Sequence, residues 1–209
     1  MRTAADMRRG GCPGALQPMQ TGDGLLVRLR LTAGVLPVLL ARKIADWARR
    51  FGNGQIELSQ RGNLQLRGVS ERTLPHLIEA LRSAELLDAD PEAEAVRNVL
   101  ASPLAGIDPS MPIDVRTIAA ALEALLASTP ELHRLSAKFS WIVDGGGALP
   151  LDGIEADVRF RADDAGRLAV GLQRRESIAW LEAVEADEIV LRAEAIARWF
   201  LGLGGGMLR

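Results

Sequence analysis

The sequence predicts an α+β fold, and three observations carry that reading. Short runs that alternate apolar and polar residues are interleaved with longer runs whose apolar residues recur every three or four positions. Two of the short runs are separated only by Arg61-Gly62-Asn63, a bend whose glycine and asparagine tolerate positive φ. The chain has 209 residues, 48% of them hydrophobic and 25% charged, which is enough to bury a core in one large domain or two small ones.

Residues 1–23 are rich in Gly, Pro and Arg and read as a leader or loop. "GLLVRLRLTAG" (24–34) alternates as a strand and puts Arg28 and Arg30 on one face. Pro37 opens a helix whose residues Leu39, Leu40, Ile44, Trp47, Ala48 and Phe51 share a side, and Gly52 closes it. "QIELSQ" (55–60) and "NLQLRGV" (63–69) are strands. A second helix follows over 70–86, with Ser70 as its cap and Pro75 in its first turn. The result is a β-α-β-β-α unit over 24–88.

A second α+β unit is expected over 89–209. "LDADPEAEA" is an acidic linker or short helix, and "VRNVLASPLAGIDP" (96–109) mixes a strand-like run with Pro and Gly. Asp114 caps a helix over 114–128 with Ile118, Leu122, Leu125 and Leu126 on one side. "KFSWIVDGGG" (138–147) is a strand ending in a glycine bend. Residues 155–173 form a hairpin turning at Asp164-Ala165-Gly166, and 185–204 a closing helix.

Several function classes are disfavoured. A net charge of −2, 4% aromatics and no tyrosine give neither a basic field nor a base-stacking platform for nucleic acid. No apolar run approaches the roughly 18 residues of a membrane span. The N-terminus lacks the apolar core of a secretory signal, so a cytoplasmic protein is expected. Cys12 is the single cysteine, which excludes an internal disulfide and any four-cysteine metal or iron–sulfur site built from this chain alone. His76 and His133 lie far apart and read as satisfied helix histidines; Asp144, ahead of three glycines, reads as a turn residue. No general base stands out.

Cations do. Arg28, Arg30, Arg61, Arg67, Arg97 and Lys138 all lie in strands or beside strand ends and bends. Arg can grip a carboxylate with two parallel hydrogen bonds, and Lys adds a compact point charge. For any one of them a solvated surface charge is the plainer reading. Sequence spacing alone does not show that they converge.

"SQRGNLQLRGV", "RNVLASPLAGIDP" and "LSAKFSWIVDGGG", each separated from the next by a helix, occur in an order that resembles the nitrite and sulfite reductase superfamily. The resemblance covers about 20–175, with "VRLRLTAG" similar to the opening strand. It implies a ferredoxin-like half-domain (24–88) packed on a second, sirohaem-reductase-like α+β domain (89–209). By resemblance Arg61, Arg97 and Lys138 match the cations that surround a sirohaem and its anion; Asn63, Gln65 and Arg67 match positions around the hairpin.

Two departures stand out. Ser140 takes a position where the reductases usually carry a second polar or basic group, and the cysteines of a [4Fe–4S] cluster are absent. Within the superfamily "RRGGCPGALQPMQTGDGLL" and "AKFSWIVDGGG" look most like the precorrin-3B synthases of aerobic cobalamin synthesis. That likeness implies oxygen-dependent hydroxylation of precorrin-3A at C20 with lactone formation. It also implies a [4Fe–4S] cluster and a further iron in the complete enzyme.

The chain alone is then expected to hold the macrocycle without redox activity. The abrupt "GLGGGMLR" suggests an N-terminal half seeking a C-terminal half, a companion chain or a second copy. Two other readings stay open. One is a fragment of a sirohaem-dependent nitrite or sulfite reductase. The other is a non-catalytic tetrapyrrole-binding module.

Overall fold

The computed structural model describes residues 13–175 and 177–204. The chain divides between Ala95 and Val96 into two compact units. Both combine a sheet with helices, as the patterning predicts.

In the first unit the strands β1 (Met19–Thr21), β2 (Gly24–Leu29), β3 (Ile56–Leu58) and β4 (Leu64–Val69) form an antiparallel sheet in the order β1-β2-β4-β3. Helices α1 (Val38–Phe51) and α2 (Leu74–Ser83) supply the rest of its core. Leu25, Val27, Leu29, Leu64, Leu66 and Val69 from the strands pack with Ile44, Ala48, Leu77 and Leu81 from the helices. Leu64 and Leu66 alternate with Asn63, Gln65 and Arg67, so burying the leucines under the helices turns the polar set to the other face. A short helix α3 (Pro91–Val96) follows, where the acidic segment left a choice between linker and helix.

In the second unit β5 (Val99–Ala101), β6 (Trp141–Asp144) and β7 (Val158–Ala162) run parallel. Hairpins then add β8 (Leu168–Gln173) and β9 (Ile178–Val184) antiparallel, giving the order β5-β6-β7-β8-β9. Parallel neighbours need a crossover, and α4 (Arg116–Ser128) provides it between β5 and β6. Helix α5 (Ile189–Gly202) closes the unit. Trp141 and Phe160, both fully buried on adjacent strands, stack with ring centres 6.2 Å apart; Phe139 meets Phe200 of α5 at 4.7 Å. Among the described residues no helix is long and apolar enough to cross a membrane.

Four expectations need correcting. Helix α4 starts at Arg116 with Val115 rather than Asp114 at its N-cap, and Asp114 instead accepts from Arg116 N at 3.1 Å. The segment read as leader up to residue 23 contains β1, whose three residues are fixed by pairing with β2. Strand β9 was not anticipated: "IAWLEAV" has little β-branched character and exposes Trp180, Leu181 and Glu182, so its pattern lacks alternation. Helix α2 starts at Leu74, with Thr73 rather than Ser70 at its N-terminus. Ser70 instead closes the preceding turn, its Oγ accepting from Thr73 N at 3.2 Å.

Candidate functional site

The hairpin bend is built as its residues dictate. Gly62 N donates to Ser59 O and Ser59 N to Asn63 O, while Gly62 takes φ +68°, a left-handed conformation that suits glycine. Ser59 Oγ accepts from Asn63 N at 3.1 Å. Arg61 is thereby fixed at the tip, half-buried, and Asn63 is nearly buried beside it.

From the bend the polar face runs along β4. Arg28, Gln65 and Glu57 share a row across β2, β4 and β3. Arg28 Nη2 donates to Gln65 Oε1 at 2.9 Å, so the amide orients the guanidinium. One step further, Gly68 takes φ +65° and β4 gains an extra residue against β2 between Leu66 and Val69. This bulge aims Arg67 at Asp23, which accepts from both Nε (3.2 Å) and Nη2 (2.7 Å). Glu57 lies 3.5 Å from the same guanidinium, and Asn53 Nδ2 donates to Asp23. The structure therefore brings Arg28, Asn63, Gln65 and Arg67 to one face, with Arg61 at its end.

The Asp23 carboxyl is held down to about 2, first by the hydrogen bond from Arg67 and then by that from Thr21. A carboxyl lowered in this way supports the fold above its unfolded value of 3.8 and loses that support as pH falls through about 2. In a carbon-detected NMR titration Asp23 should show a midpoint near 2. A midpoint near 3.8 would remove Arg67 as its partner.

Arg30 lies apart from this set. β2 ends at Leu29, and the Arg30 side chain is buried close enough to Glu94 to lower that group's affinity for a proton. Glu94 also ties down the segment before β1. Its oxygens accept from Ala15 N (2.5 Å) and Leu16 N (3.1 Å), and Gly14 leaves no space for a Cβ beside that carboxylate. Gly14 O in turn accepts from Arg28 N at 3.3 Å. Burial is the main influence on Glu94 and raises its carboxyl above the usual range.

In the second unit Arg97 and Lys138 stand at the same end of neighbouring strands. β5 and β6 are parallel with Val99 opposite Trp141, so Arg97 lies two residues before the start of β5 and Lys138 three residues before the start of β6. Asn98 Nδ2 donates to Phe139 O and Asn98 O accepts from Trp141 N, which locks the two starts together. Lys138 is exposed. Arg97 is mostly covered and donates to Glu123 Oε2 of α4 at 3.1 Å. Ser140 is fully buried, its N and Oγ both donating to Asp157.

The acids and histidines take structural places. Asp144 is more than a turn residue: it is fully buried and accepts from Ser102 Oγ, Gly146 N and Leu151 N at 2.9–3.0 Å. Asp152 pairs with Arg161. His76 is exposed on α2 and stacks on Phe51; His133, in a 3-10 turn, lies 3.0 Å from Ala127 O. Glu94 and Glu123 escaped the sequence reading, because a glutamate in a helical run reads as solvated. The one available signal was position: Glu123 directly follows Leu122 and sits four residues after Ala119, inside the stripe that becomes buried. Cys12 lies outside the described residues.

Residues 17–84 match the nitrite/sulfite reductase ferredoxin-like half domain. The precorrin-3B synthase of Sinorhizobium sp is 45% identical over 160 residues, which is 77% of this chain and 34% of that protein. A ferredoxin–nitrite reductase of Synechococcus elongatus is 31% identical over 131 residues, 60% of this chain and 26% of its own. The fold resembles that of the Mycobacterium tuberculosis NirA protein, with a TM-score of 0.67, 18% identity and coverage of 84% of this chain and 34% of that one. The chain thus spans about a quarter to a third of the length of these relatives. Residues 17–84 are a nitrite/sulfite reductase ferredoxin-like half domain, and the chain is a relative of precorrin-3B synthase within that superfamily.

Proposed function

We propose that this chain is the macrocycle-holding part of a precorrin-3B synthase, which converts precorrin-3A to precorrin-3B with oxygen. The observation that carries the reading is the polar face of the four-stranded sheet. Arg28, Asn63, Gln65 and Arg67 lie there side by side, with Arg61 at the bend. A precorrin carries acetate and propionate groups around its rim. Guanidinium groups fixed on separate elements, Arg28 on β2 and Arg61 at the bend, can each take a carboxylate and so set which edge of the ring faces which way, while Arg67 is already paired with Asp23 and Glu57. The second unit offers its own carboxylate-binding pair, Arg97 and Lys138. The marked difference in identity, 45% against 31%, favours a synthase over a nitrite reductase.

The residues present do not fit an iron–sulfur cluster. The chain has one cysteine, and no group of three or more His, Cys, Asp or Glu among the described residues could hold a metal. The work of this chain is therefore binding and orientation. Oxygen chemistry and electron supply fall to a further segment or a companion chain. The same cations would hold the carboxylates of sirohaem in the reductase reading. In that reading Ser140 would add no group at Lys138's side, since it is committed to Asp157.

Uroporphyrin, which bears an acetate and a propionate on every ring, is the probe to use. Its Soret band should shift on titration with the chain, and its methyl ester should not bind. Arg28→Ala and Arg61→Ala should each weaken binding by about tenfold or more, the loss of one charge-assisted hydrogen bond. Equal binding of acid and ester, or no effect from either substitution, would refute the reading.

A further inference from the structure

We infer that Asp23 is a specificity-determining residue: its carboxylate fills the fork of the Arg67 guanidinium and so closes that cation to the carboxylates of the ligand. The inference rests on the tetrapyrrole reading of the polar sheet face given above.

Asp23 is gripped as a bound carboxylate would be. Arg67 Nη2 donates to Oδ1 at 2.7 Å and Nε to Oδ2 at 3.2 Å, one hydrogen bond to each oxygen from a single planar group. Thr21 Oγ1 lies 2.8 Å from Oδ1, and Asn53 Nδ2 donates to Oδ2 at 3.0 Å. Each oxygen is therefore within hydrogen-bond reach of two donors, drawn from three separate segments of chain. Asn53 is itself fixed: its N donates to Arg67 O, and its Oδ1 accepts from Gln55 N at 3.0 Å.

The backbone is shaped for this contact. Asp23 lies in the turn between β1 and β2, 44 residues from Arg67. A Cβ on Gly24 would lie 2.9 Å from Val69 O, and one on Gly68 would lie 2.6 Å from the Asn53 Cβ. Glycine at these two positions lets the turn and the Asn53 loop close on the bulge that carries Arg67. The pair is not buried. Arg67 keeps 22% and Asp23 32% of its side chain accessible, so a ligand on this face reaches both. An exposed ion pair contributes little to stability, and its larger effect is on what the face offers a ligand.

The remaining nitrogen, Nη1, faces Glu57 at 3.5 Å, so Arg67 stands between two carboxylates. One positive and two negative charges turn a further carboxylate away from this corner. A macrocycle gripped by Arg28 and Arg61 is thereby kept from sliding toward Arg67, and its register on the sheet is set.

Three substitutions test this. Asp23→Ala empties the fork, and Asp23→Asn leaves a neutral acceptor that a ligand carboxylate can displace. With uroporphyrin as the probe at low salt, both should bind about threefold to tenfold tighter than wild type. Glu57→Gln removes the same charge but leaves the fork filled, and its gain should stay below about twofold. A purely structural Asp23 would lower the melting temperature and leave affinity unchanged. Asp23 variants that match wild type within about twofold, while Arg28→Ala still weakens binding, would overturn the inference and leave the reading of the face intact. A gain in Glu57→Gln equal to that in Asp23→Asn would also overturn it, since net charge alone would then explain both.

A ligand-free readout runs alongside. Phenylglyoxal should modify Arg67 several-fold faster in Asp23→Ala than in wild type, followed by peptide mass spectrometry. Equal rates would overturn the inference whatever the porphyrin result. If neither wild type nor the Asp23 variants bind uroporphyrin, the tetrapyrrole reading fails and the specificity role with it.

Discussion

Asp144→Ala is expected to cost the second unit about 3–5 kcal/mol of stability, the usual penalty for breaking a buried charged network from one side. The carboxylate is fully buried and accepts three hydrogen bonds, from Ser102 after β5 and from Gly146 and Leu151 in the loop after β6. Arg159 of β7 is nearly as buried. Its Nη1 donates to Leu151 O and its Nη2 to Ile154 O, and the charge of Asp144 helps keep it protonated against the opposing pull of burial. Alanine would leave Leu151 N and Ser102 without their acceptor and a buried cation without its nearby counter-charge. Urea denaturation would measure the loss. Asp144→Asn should cost less, since one acceptor oxygen remains. Adding Arg159→Met to Asp144→Ala should recover part of the stability, because the two sites share one network. A loss near 1 kcal/mol in the single variant, with no recovery in the double one, would mean that the charge pairing contributes little.

Glu94→Ala is expected to destabilise the first unit by about 2–4 kcal/mol, roughly the penalty of two backbone donors left without an acceptor. Ala15 N and Leu16 N would lose that acceptor, and the amide exchange of these two residues should speed up well before that of β4. The pH dependence has a definite sign. Burial raises the Glu94 carboxyl above its unfolded value of 4.5, so the group supports the fold fully below 4.5 and loses that support as pH rises through its folded value. Compared with Glu94→Gln, wild type should therefore gain stability as pH is lowered toward 4.5. A stability difference that stays flat, or that grows as pH rises, would show that the carboxylate is better stabilised in the fold than its burial implies.

These two residues also mark where the sequence stops being legible. The α+β class, α1 with its Gly52 stop, the hairpin at Gly62 and the hairpin at Gly166 could all be read, because each is a local matter of period and turn chemistry. Strand β9 could not, since its place comes from pairing with β8 rather than from any alternation of its own. The cations were legible as residue types. Their grouping was not, because it depends on which strands become neighbours and on the bulge that re-aims Arg67. Among the described residues Glu94, Glu123 and Asp144 are the buried acids, and all three look like surface or turn residues in the linear chain. Only the long-range packing of Ala15, Arg97 and Ser102 against them gives them their roles.

The bulge at Gly68 has a consequence for how this sheet could change over time. Val27 faces Leu66 and Leu25 faces Val69, so β4 spends three steps where β2 spends two. Removing Gly68 would restore a two-for-two count with Val69 still facing the core, since side chains alternate with a period of two. The apolar register is thus indifferent to the extra residue, whereas the aim of Arg67 depends on it. An insertion or deletion at this one codon could retune the charged face while the hydrophobic interior is left as it was.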